Sequence, residues 1–204
     1  MARFHEAEGF ILAGGASSRM GRDKALLEFG GIPLIIRAAQ LLEPLVGRPT
    51  IIAPAGRYQE FGLRTVPDDD SGFGPLGGIA TALRISASPW NLVVGCDLPY
   101  LTAEWLGFLI GRAAASTADA TLPENARGLE PLCAMYHKRA EAAIRAALER
   151  GVRKVTDGLA ALTVLTLAPS EWKEFDSEGR LFKNINTVAD YEESRAASGN
   201  ERVE

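Results

Sequence analysis

The sequence predicts an α/β fold built around a mostly parallel β-sheet. Short, continuously apolar runs alternate with helical patterns along the chain. The runs are apolar on both faces, which is typical of parallel strands that are covered by helices on either side. There is no internal repeat, low-complexity segment or linker. We therefore expect one domain over residues 1–197, followed by a frayed tail at residues 198–204.

Most of the predicted strands are recognised by short runs of apolar residues, of which GFILA at residues 9–13 is the first. In chain order they are residues 9–13, 50–53, 64–67, 92–96, 118–122, 132–136 and 162–167. Ligands of such sheets bind at the carboxyl ends of the strands. We therefore expect the chemistry in the loops after Ala13, Pro67, Cys96 and Tyr136.

The predicted helices show the spacing of apolar residues that is typical of an amphipathic helix, with start and stop signals at several ends. Pro75 stands in a first turn, where proline is favoured. Thr102 and Thr187 are predicted N-caps, and Gly151 ends the helix before it. The predicted helices are residues 34–45, 76–87, 103–115, 139–150 and 188–196.

Composition excludes several classes of protein. Hydrophobic residues make up 47% of the chain and charged residues 24%, and the formal net charge is −4, so a global basic field for nucleic acid is absent. Cys96 and Cys133 lack the spacing of a zinc site, and the chain has only two histidines. No apolar run approaches the length of a membrane span, and no signal peptide is recognisable, so we expect a cytoplasmic protein.

The first segment that could carry chemistry is the loop at residues 14–24, which follows the first strand. It contains two adjacent glycines, two serines, two arginines and Lys24. Glycines let backbone N–H groups approach phosphate oxygens, and arginine and lysine neutralise their charge. The spacing differs from that of a Walker A loop and from that of a dinucleotide-binding G-x-G-x-x-G loop. The alternative interpretation is a solvated basic turn.

Two further strand ends carry acidic residues. Asp97 directly follows a buried strand and precedes Leu98-Pro99. An aspartate there suits a Mg²⁺ ion that also binds phosphates, although a turn or helix cap would use the same residue. Asp68 follows the strand at residues 64–67 and is a candidate contact for a ribose or base. Asp69 and Asp70 are interpreted as a solvated acidic pair.

Two other motifs have both a binding and a structural interpretation. Gly77 and Gly78 weaken the first turn of a helix, which is useful where a flat base or another element packs closely. Asn184 and Asn186 point the same way from an extended segment, so they could bind a ligand or cap the next helix. His137 is interpreted as a structural histidine and Cys96 as a core residue.

The motifs occur in a fixed order across nearly the whole chain: LAGGASSRMGRDKALLEFGG, GPLGG, GCDLP, EPLCAMY, GVRKVTDGL and FKNINT. In this series they resemble the molybdenum cofactor guanylyltransferase (MobA) family, within the nucleotidyltransferases of the glycosyltransferase-A-like group. The resemblance implies a single-domain, Rossmann-like, three-layer α/β/α fold with a mostly parallel mixed sheet, of the nucleotide-diphospho-sugar transferase type.

The resemblance also implies a reaction. The terminal phosphate of molybdopterin, with or without molybdenum, attacks the α-phosphate of GTP, and pyrophosphate leaves. The residue types agree with it, because an anionic nucleophile needs no serine, cysteine or histidine, whereas the growing charge on pyrophosphate must be neutralised. GTP and molybdopterin would be the substrates, and transient contact with other proteins of the same biosynthesis or with acceptor proteins is implied.

The same resemblance implies roles for individual residues. Mg²⁺ would bind Asp97, and Arg19 and Lys24 would act with it in catalysis. The nucleotide side of the site would comprise Leu12, Ala13, Gly14, Gly15, Lys24, Asp68, Gly77, Gly78 and Asp97. The pterin side would comprise Arg153, Asn184 and Asn186.

The sequence departs from the family at two positions and leaves other functions open. An asparagine common after the second strand is absent from Ile52-Ala53-Pro54-Ala55, and Val188 replaces a common proline. The related cytidylyltransferases tend to have alanine at the position of Gly14, so Gly14 favours guanine. The alternatives are a transferase of the same fold that uses CTP or a sugar phosphate, and a non-catalytic nucleotide-binding module.

Overall fold

The protein is described by a computed structural model, which covers residues 4, 6–14, 23–69, 71–185 and 190–192. The strands are β1 (Ala7–Leu12), β2 (Glu28–Phe29), β3 (Ile32–Pro33), β4 (Thr50–Ala53), β5 (Arg64–Pro67), β6 (Trp90–Gly95), β7 (Ala120–Asn125), β8 (Gly128–Leu129), β9 (Cys133–His137) and β10 (Val164–Leu167). The main sheet has the strand order β10-β7-β9-β6-β1-β4-β5, with the short β8 paired to β7. The helices are α1 (Leu34–Val46), α2 (Pro75–Ile85), α3 (Ala103–Ala114), α4 (Glu141–Glu149), α5 (Val155–Gly158) and α6 (Pro169–Trp172).

The sheet is mixed because a single strand of its path runs against the others. β1 pairs in parallel with β4 and β6, β4 with β5, and β7 with β10, whereas β9 is antiparallel to both β6 and β7. The carboxyl ends of β1, β4, β5 and β6 therefore meet at one edge. This arrangement confirms the predicted fold class.

The loop after Tyr136 was wrongly predicted to lie at this edge. Because β9 is antiparallel, its carboxyl end lies at the opposite edge, and its start at Cys133 lies at the edge where β1, β4, β5 and β6 end. The reason lies in the connection from β7, which spans only residues 126–132 and includes the short β8. A parallel crossover needs a dozen or more residues, so this connection can only return antiparallel.

Helices cover both faces of the sheet and form two apolar layers. Neighbouring residues of one strand point to opposite layers, as Phe10 and Ile11 of β1 do, and both are buried. One layer contains residues of α1 and α3, and the other contains residues of α2, α4 and α5. The apolar character of both strand faces is thus explained by burial on both sides.

Most predicted elements are present, with shifts of up to three residues at their ends. β4 and β5 have the predicted bounds, α2 begins at Pro75, and the Thr102 hydroxyl accepts a hydrogen bond of 3.2 Å from the backbone N–H of Trp105. α4 is shorter than predicted, because Lys138–Ala140 forms a 3₁₀ turn before it. The last predicted helix, with its cap at Thr187, lies mostly outside the described residues. Of this predicted helix the structure describes residues 190–192, and these are helical.

Several short elements were not predicted. The hairpin of β2 and β3 turns through Gly30 and Gly31, whose φ angles of 60° and 80° are those of a type I′ turn. β8, α5 and α6 have two to four residues each, which is too short for a periodic pattern to show. Within the described ranges, no helix has both the length and the apolar character required to span a bilayer.

Candidate functional site

A cleft of about 530 Å³ opens at the edge of the sheet where the parallel strands end. Its walls come from the loops after β1, β4, β5 and β6 and from the start of α2. The lining residues are Leu12, Ala13, Gly14, Asp23, Lys24, Ala25, Ile52, Pro54, Arg57, Tyr58, Asp68, Gly74, Pro75, Gly78, Gly95, Cys96, Asp97 and Leu132. The cleft therefore lies where ligands of open α/β sheets bind.

A lysine and an aspartate meet inside this cleft. Lys24 begins a 3₁₀ turn at Lys24–Leu26, and the carboxylate of Asp23 caps that turn by accepting a hydrogen bond of 3.1 Å from the N–H of Ala25. The ammonium of Lys24 lies 2.9 Å from Oδ2 of Asp97. Both side chains are partly covered, with exposures of 23% and 17%. The pair places one cation and one anion where a charged ligand can reach both.

The position of the Asp97 carboxylate depends on a glycine at the end of β6. A Cβ built on Gly95 would lie 2.6 Å from Oδ1 of Asp97, closer than real Cβ atoms approach another atom. Any other residue there would displace the carboxylate. Gly95 was not among the predicted site residues, although a glycine at the end of a buried apolar strand is a recognisable signal of close approach.

The glycines of α2 have different surroundings. Gly78 lines the cleft, and a Cβ at this position would lie 3.2 Å from both methyl carbons of Leu12, so the helix turn packs closely on the end of β1. Gly77 is buried in the same turn and is absent from the cleft lining in the described part of the chain. Leu12, Ala13 and Gly14 all line the cleft, as predicted for the segment after the first strand.

Asp68 lines the cleft beside the start of α2. Its Oδ1 accepts a hydrogen bond of 3.2 Å from the hydroxyl of Thr81, which fixes the orientation of the carboxylate. Asp69 forms an ion pair with Arg84 at the surface, in agreement with the prediction of a solvated acidic loop. Asp70 lies outside the described residues.

A group of polar side chains that was not predicted surrounds the carboxylate of Asp23. The hydroxyl of Tyr58 lies 2.9 and 3.0 Å from the two carboxylate oxygens of Asp23, and Arg57 forms an ion pair with the same carboxylate. Burial, followed by the hydrogen bond to Asp23, raises the pKa of the Tyr58 hydroxyl, so it remains a donor. No local pattern signals this group, because 35 residues separate Asp23 from Tyr58.

The residues assigned to the pterin side lie at two places around the cleft. The guanidinium carbon of Arg153 lies 5.7 Å from the ring centroid of Phe73, one residue before Gly74 in the cleft lining. Asn184 stands on a segment that is joined to the cleft, because the N–H of Ile185 donates a 3.0 Å hydrogen bond to the backbone oxygen of Asp97. Gly15, Arg19 and Asn186 lie outside the described residues, so their roles stay predictions.

Both cysteines are buried thiols. Cys96 lines the cleft, and burial followed by the charge of Asp97 raises the pKa of its thiol. Burial likewise raises the pKa of Cys133 to about 12, and its sulfur accepts a hydrogen bond of 3.2 Å from the indole N–H of Trp105. Neither thiol is a nucleophile at neutral pH, because the thiolate is the reactive form.

A second carboxyl group, also missed by the sequence analysis, lies near Asp97. Glu130 has a side chain only 15% exposed and accepts a hydrogen bond of 2.6 Å from the amide of Asn125. Burial raises the pKa of this carboxyl, and the negative charge of Asp97 acts in the same direction. The EPLCAMY motif contains Glu130, but its glutamate stands outside any strand and gave no signal of burial.

Asp97 and the segment joined to it carry oxygen atoms of the kind that bind magnesium, and a ligand would have to supply the rest. The amide oxygen Oδ1 of Asn184 is buried without a hydrogen-bond partner, on the segment joined to Asp97. Among the described residues, no three His, Cys, Asp or Glu side chains group closely enough to hold a metal ion by themselves. Mg²⁺ takes few protein oxygens and keeps water or phosphate oxygens in its other positions. One carboxylate and one unpartnered amide oxygen suit this ion.

The sequence matches the family model described as "MobA-like NTP transferase domain" over residues 9–163. A protein of Deinococcus radiodurans, named a probable molybdenum cofactor guanylyltransferase, is 38% identical over 90% of this chain and 91% of its own length. A protein of Shewanella pealeana, named a molybdenum cofactor guanylyltransferase, is 30% identical over 96% of this chain and 97% of its own length.

Solved structures show the same fold. Molybdopterin-guanine dinucleotide biosynthesis protein A of Archaeoglobus fulgidus superposes with a TM-score of 0.83 at 25% identity, covering 95% of this chain and 99% of its own. A CMP:2-keto-3-deoxy-manno-octonic acid synthetase complexed with CTP superposes with a TM-score of 0.75 at 14% identity, covering 96% and 99% of the two chains. The second similarity concerns the fold alone.

Proposed function

Because the chain belongs to the family of MobA-like NTP transferase domains, we propose that it transfers GMP from GTP to the terminal phosphate of molybdopterin, with or without molybdenum. The names of its curated relatives support this choice of substrates. An oxygen of the acceptor phosphate forms a bond to the α-phosphorus of GTP. The bond from that phosphorus to the oxygen bridging to the β-phosphate breaks, and pyrophosphate leaves with the electron pair.

The pairing of Lys24 with Asp97 is the observation that carries this proposal. An acceptor phosphate is already an anion, so the site needs no general base to create its nucleophile. It needs groups that hold two anions together and neutralise the charge that grows on pyrophosphate. The ammonium of Lys24 supplies a fixed positive charge at the carboxylate of Asp97. Arg19, on the same loop, is proposed as the second cation.

Asp97 and Asn184 are proposed to hold the magnesium ion. The ion, when bound between protein and triphosphate, would neutralise phosphate charge and orient the α-phosphorus. The carboxylate of Asp97 is already directed into the cleft by the space that Gly95 leaves. Bound nucleotide then supplies the oxygens that the protein lacks.

The nucleotide is proposed to lie between the end of β1 and the start of α2. Leu12, Gly14 and Gly78 would border the base, and the Asp68 carboxylate, held by Thr81, would accept a hydrogen bond from the nucleoside. The acceptor would approach from the side of Arg153, Asn184 and Asn186. A cleft of about 530 Å³ is within the size range of small-molecule sites.

The test is pyrophosphate release from GTP, CTP, ATP and UTP in parallel, each with Mg²⁺ and with or without molybdopterin. We expect release with GTP, only when molybdopterin is present. A site that hydrogen-bonds one base leaves polar groups unpaired with another, so the other nucleotides should react far more slowly. Preferential release with CTP would retain the transfer chemistry and overturn the choice of guanine. Binding of GTP without any release would overturn the catalytic proposal in favour of a binding module.

A further inference from the structure

Tyr58 has a backbone conformation that side chains disfavour. Its φ of 61° and ψ of 12° lie in the left-handed region, and among the described residues it is the one non-glycine with a positive φ. A β-carbon makes this conformation unfavourable, so it persists only where surrounding contacts enforce it. Such enforced residues cluster at functional sites. The contacts of the Tyr58 side chain are therefore informative.

The Tyr58 side chain is tied to two other loops of the cleft. Its ring is buried, with 3% of the residue exposed, and its hydroxyl lies 2.9 and 3.0 Å from the oxygens of Asp23 and 3.4 Å from the backbone oxygen of Ala13. Asp23 immediately precedes Lys24 and caps its turn. The hydroxyl thus links the loop after β4 to the end of β1 and to the turn that carries the lysine.

We propose that Tyr58 is a positioning residue for the transfer reaction. Its hydroxyl fixes the carboxylate of Asp23, and through the capped turn it keeps the ammonium of Lys24 at Asp97. The kinetic consequence rests on the function proposed above, whereas the effect on the position of Lys24 does not. Arg57 also forms an ion pair with Asp23, but 54% of its side chain is exposed. Arg57 therefore neutralises the charge of Asp23 without holding its carboxylate in place as the buried Tyr58 does.

A purely structural role for Tyr58 makes a different prediction. The buried ring packs in the apolar layer that includes Ala13 and Ala25. If packing alone mattered, Tyr58→Phe would retain the ring and leave Lys24 where it is. If the hydroxyl matters, the same change removes the donor that holds Asp23, and the turn carrying Lys24 is released.

The first test measures the position of Lys24 without using activity. The intact protein is treated with limiting acetic anhydride, and peptide mass spectrometry gives the acetylation rate of Lys24 relative to that of exposed Lys173. In Tyr58→Phe we expect the relative rate of Lys24 to rise about fivefold, the factor that corresponds to the loss of one net hydrogen bond. Asp23→Asn should change it in the same direction. An unchanged rate in a folded Tyr58→Phe protein overturns the proposal.

The second test is a double-mutant cycle on pyrophosphate release under single-turnover conditions. A positioning role predicts that Tyr58→Phe slows the bond-forming step about tenfold in the wild-type background and has almost no effect in Lys24→Met. Equal effects in the two backgrounds would overturn the proposal. Asp119→Asn, at the opposite edge of the sheet, is the matched control and should change neither readout. If GTP and molybdopterin give no release at all, the proposed function fails, and acetylation of Lys24 alone decides the role of Tyr58.

Discussion

The ammonium of Lys24 lies 2.9 Å from the carboxylate of Asp97, although 73 residues separate the two positions in the chain. Lys24 belongs to the segment after β1, and Asp97 belongs to the segment after β6. β1 and β6 are neighbours in parallel, with Leu12 opposite Gly95, so both segments leave the sheet at the same edge. The contact is therefore a direct result of strand order, and it brings opposite charges to the floor of the cleft.

Replacing Asp97 with asparagine should remove the transfer reaction while leaving the fold intact. The change keeps the size of the side chain but removes the negative charge that pairs with Lys24 and would bind Mg²⁺. We expect kcat/KM to fall by about 10³-fold, the scale of losing metal-assisted charge stabilisation. Pyrophosphate release at saturating Mg²⁺ measures it, with Asp119→Asn as the control. Turnover near that of the wild type would contradict the assignment of Asp97.

A methyl group at position 95 should displace the carboxylate of Asp97 and so slow the reaction. In Gly95→Ala the new Cβ would need the space that Oδ1 of Asp97 occupies, at 2.6 Å. We expect the Asp97 side chain to turn away from Lys24 and kcat to fall by about 100-fold, as for a reacting group misplaced by about 1 Å. Gly111→Ala is the matched control. Gly111 is exposed on a helix, and a Cβ built on it would have no other atom within 4 Å. Equal kinetics in the two variants would contradict this account.

A methyl group at position 78 should weaken nucleotide binding more than it slows the chemistry. The Cβ of Gly78→Ala would lie 3.2 Å from the methyl carbons of Leu12, a residue that lines the cleft, so this side chain must move slightly. We expect the KM for GTP to rise by about 5- to 10-fold with little change in kcat, since the contact affects substrate and transition state alike. Steady-state kinetics with varied GTP measures it. A loss confined to kcat would argue against a nucleotide at this position.

Glu130→Gln should stabilise the protein at pH values above the raised pKa of Glu130 and have little effect below pH 4.5. Burial raises the pKa of this carboxyl above its usual 4.5, so the folded state binds the proton more tightly than the unfolded state does. The stability that Glu130 contributes is present below pH 4.5 and is lost as the pH rises through the raised pKa. Glutamine stays neutral and keeps an oxygen for the Asn125 amide. Thermal unfolding at a series of pH values measures the difference.

The gap in Tm between Glu130→Gln and the wild type should therefore widen as the pH rises. Glu149→Gln, at an exposed position of α4, controls for the loss of one negative charge. A gap that stays constant with pH, or that matches the one for Glu149→Gln, would show that burial of Glu130 carries no stability cost.

Asp119→Asn should have the opposite pH dependence. The hydrogen bond from Arg139, and next the one from the N–H of Thr163 at 2.9 Å, hold the pKa of Asp119 below 3.8. Its stabilising effect is present above pH 3.8 and is lost as the pH falls through the lowered pKa. We expect the variant to have a lower Tm than the wild type at pH 7, and the two to converge below pH 3.8. A difference that persists unchanged at pH 3 would contradict the ion-pair explanation.

Local sequence patterns predicted much of the fold because they report burial and periodicity. The segment of β4 is mainly apolar and buried, that of β5 is flanked by the turn residues Gly62 and Asp68, and the bounds of both strands were predicted without error. Thr102 was identified as a cap from its residue type and position. The cleft-lining residues Gly14, Lys24, Asp68 and Asp97 stand in segments that follow strand ends, where ligands of such sheets bind, whereas Leu12 was predicted from the resemblance to the family.

The sequence by itself thus determined the α/β class, the strand ends that carry charge, and the family to which the motifs belong. The extent of the domain to residue 197 and the roles of the predicted site residues stay predictions, and Gly15, Arg19 and Asn186 lie outside the described residues. Only the tertiary structure decided the direction of β9, because an apolar run has the same pattern in either direction. It also decided that Tyr58 contacts Asp23 and that Gly95 makes room for Asp97. These contacts depend on which strands are neighbours, and no local pattern contains that information.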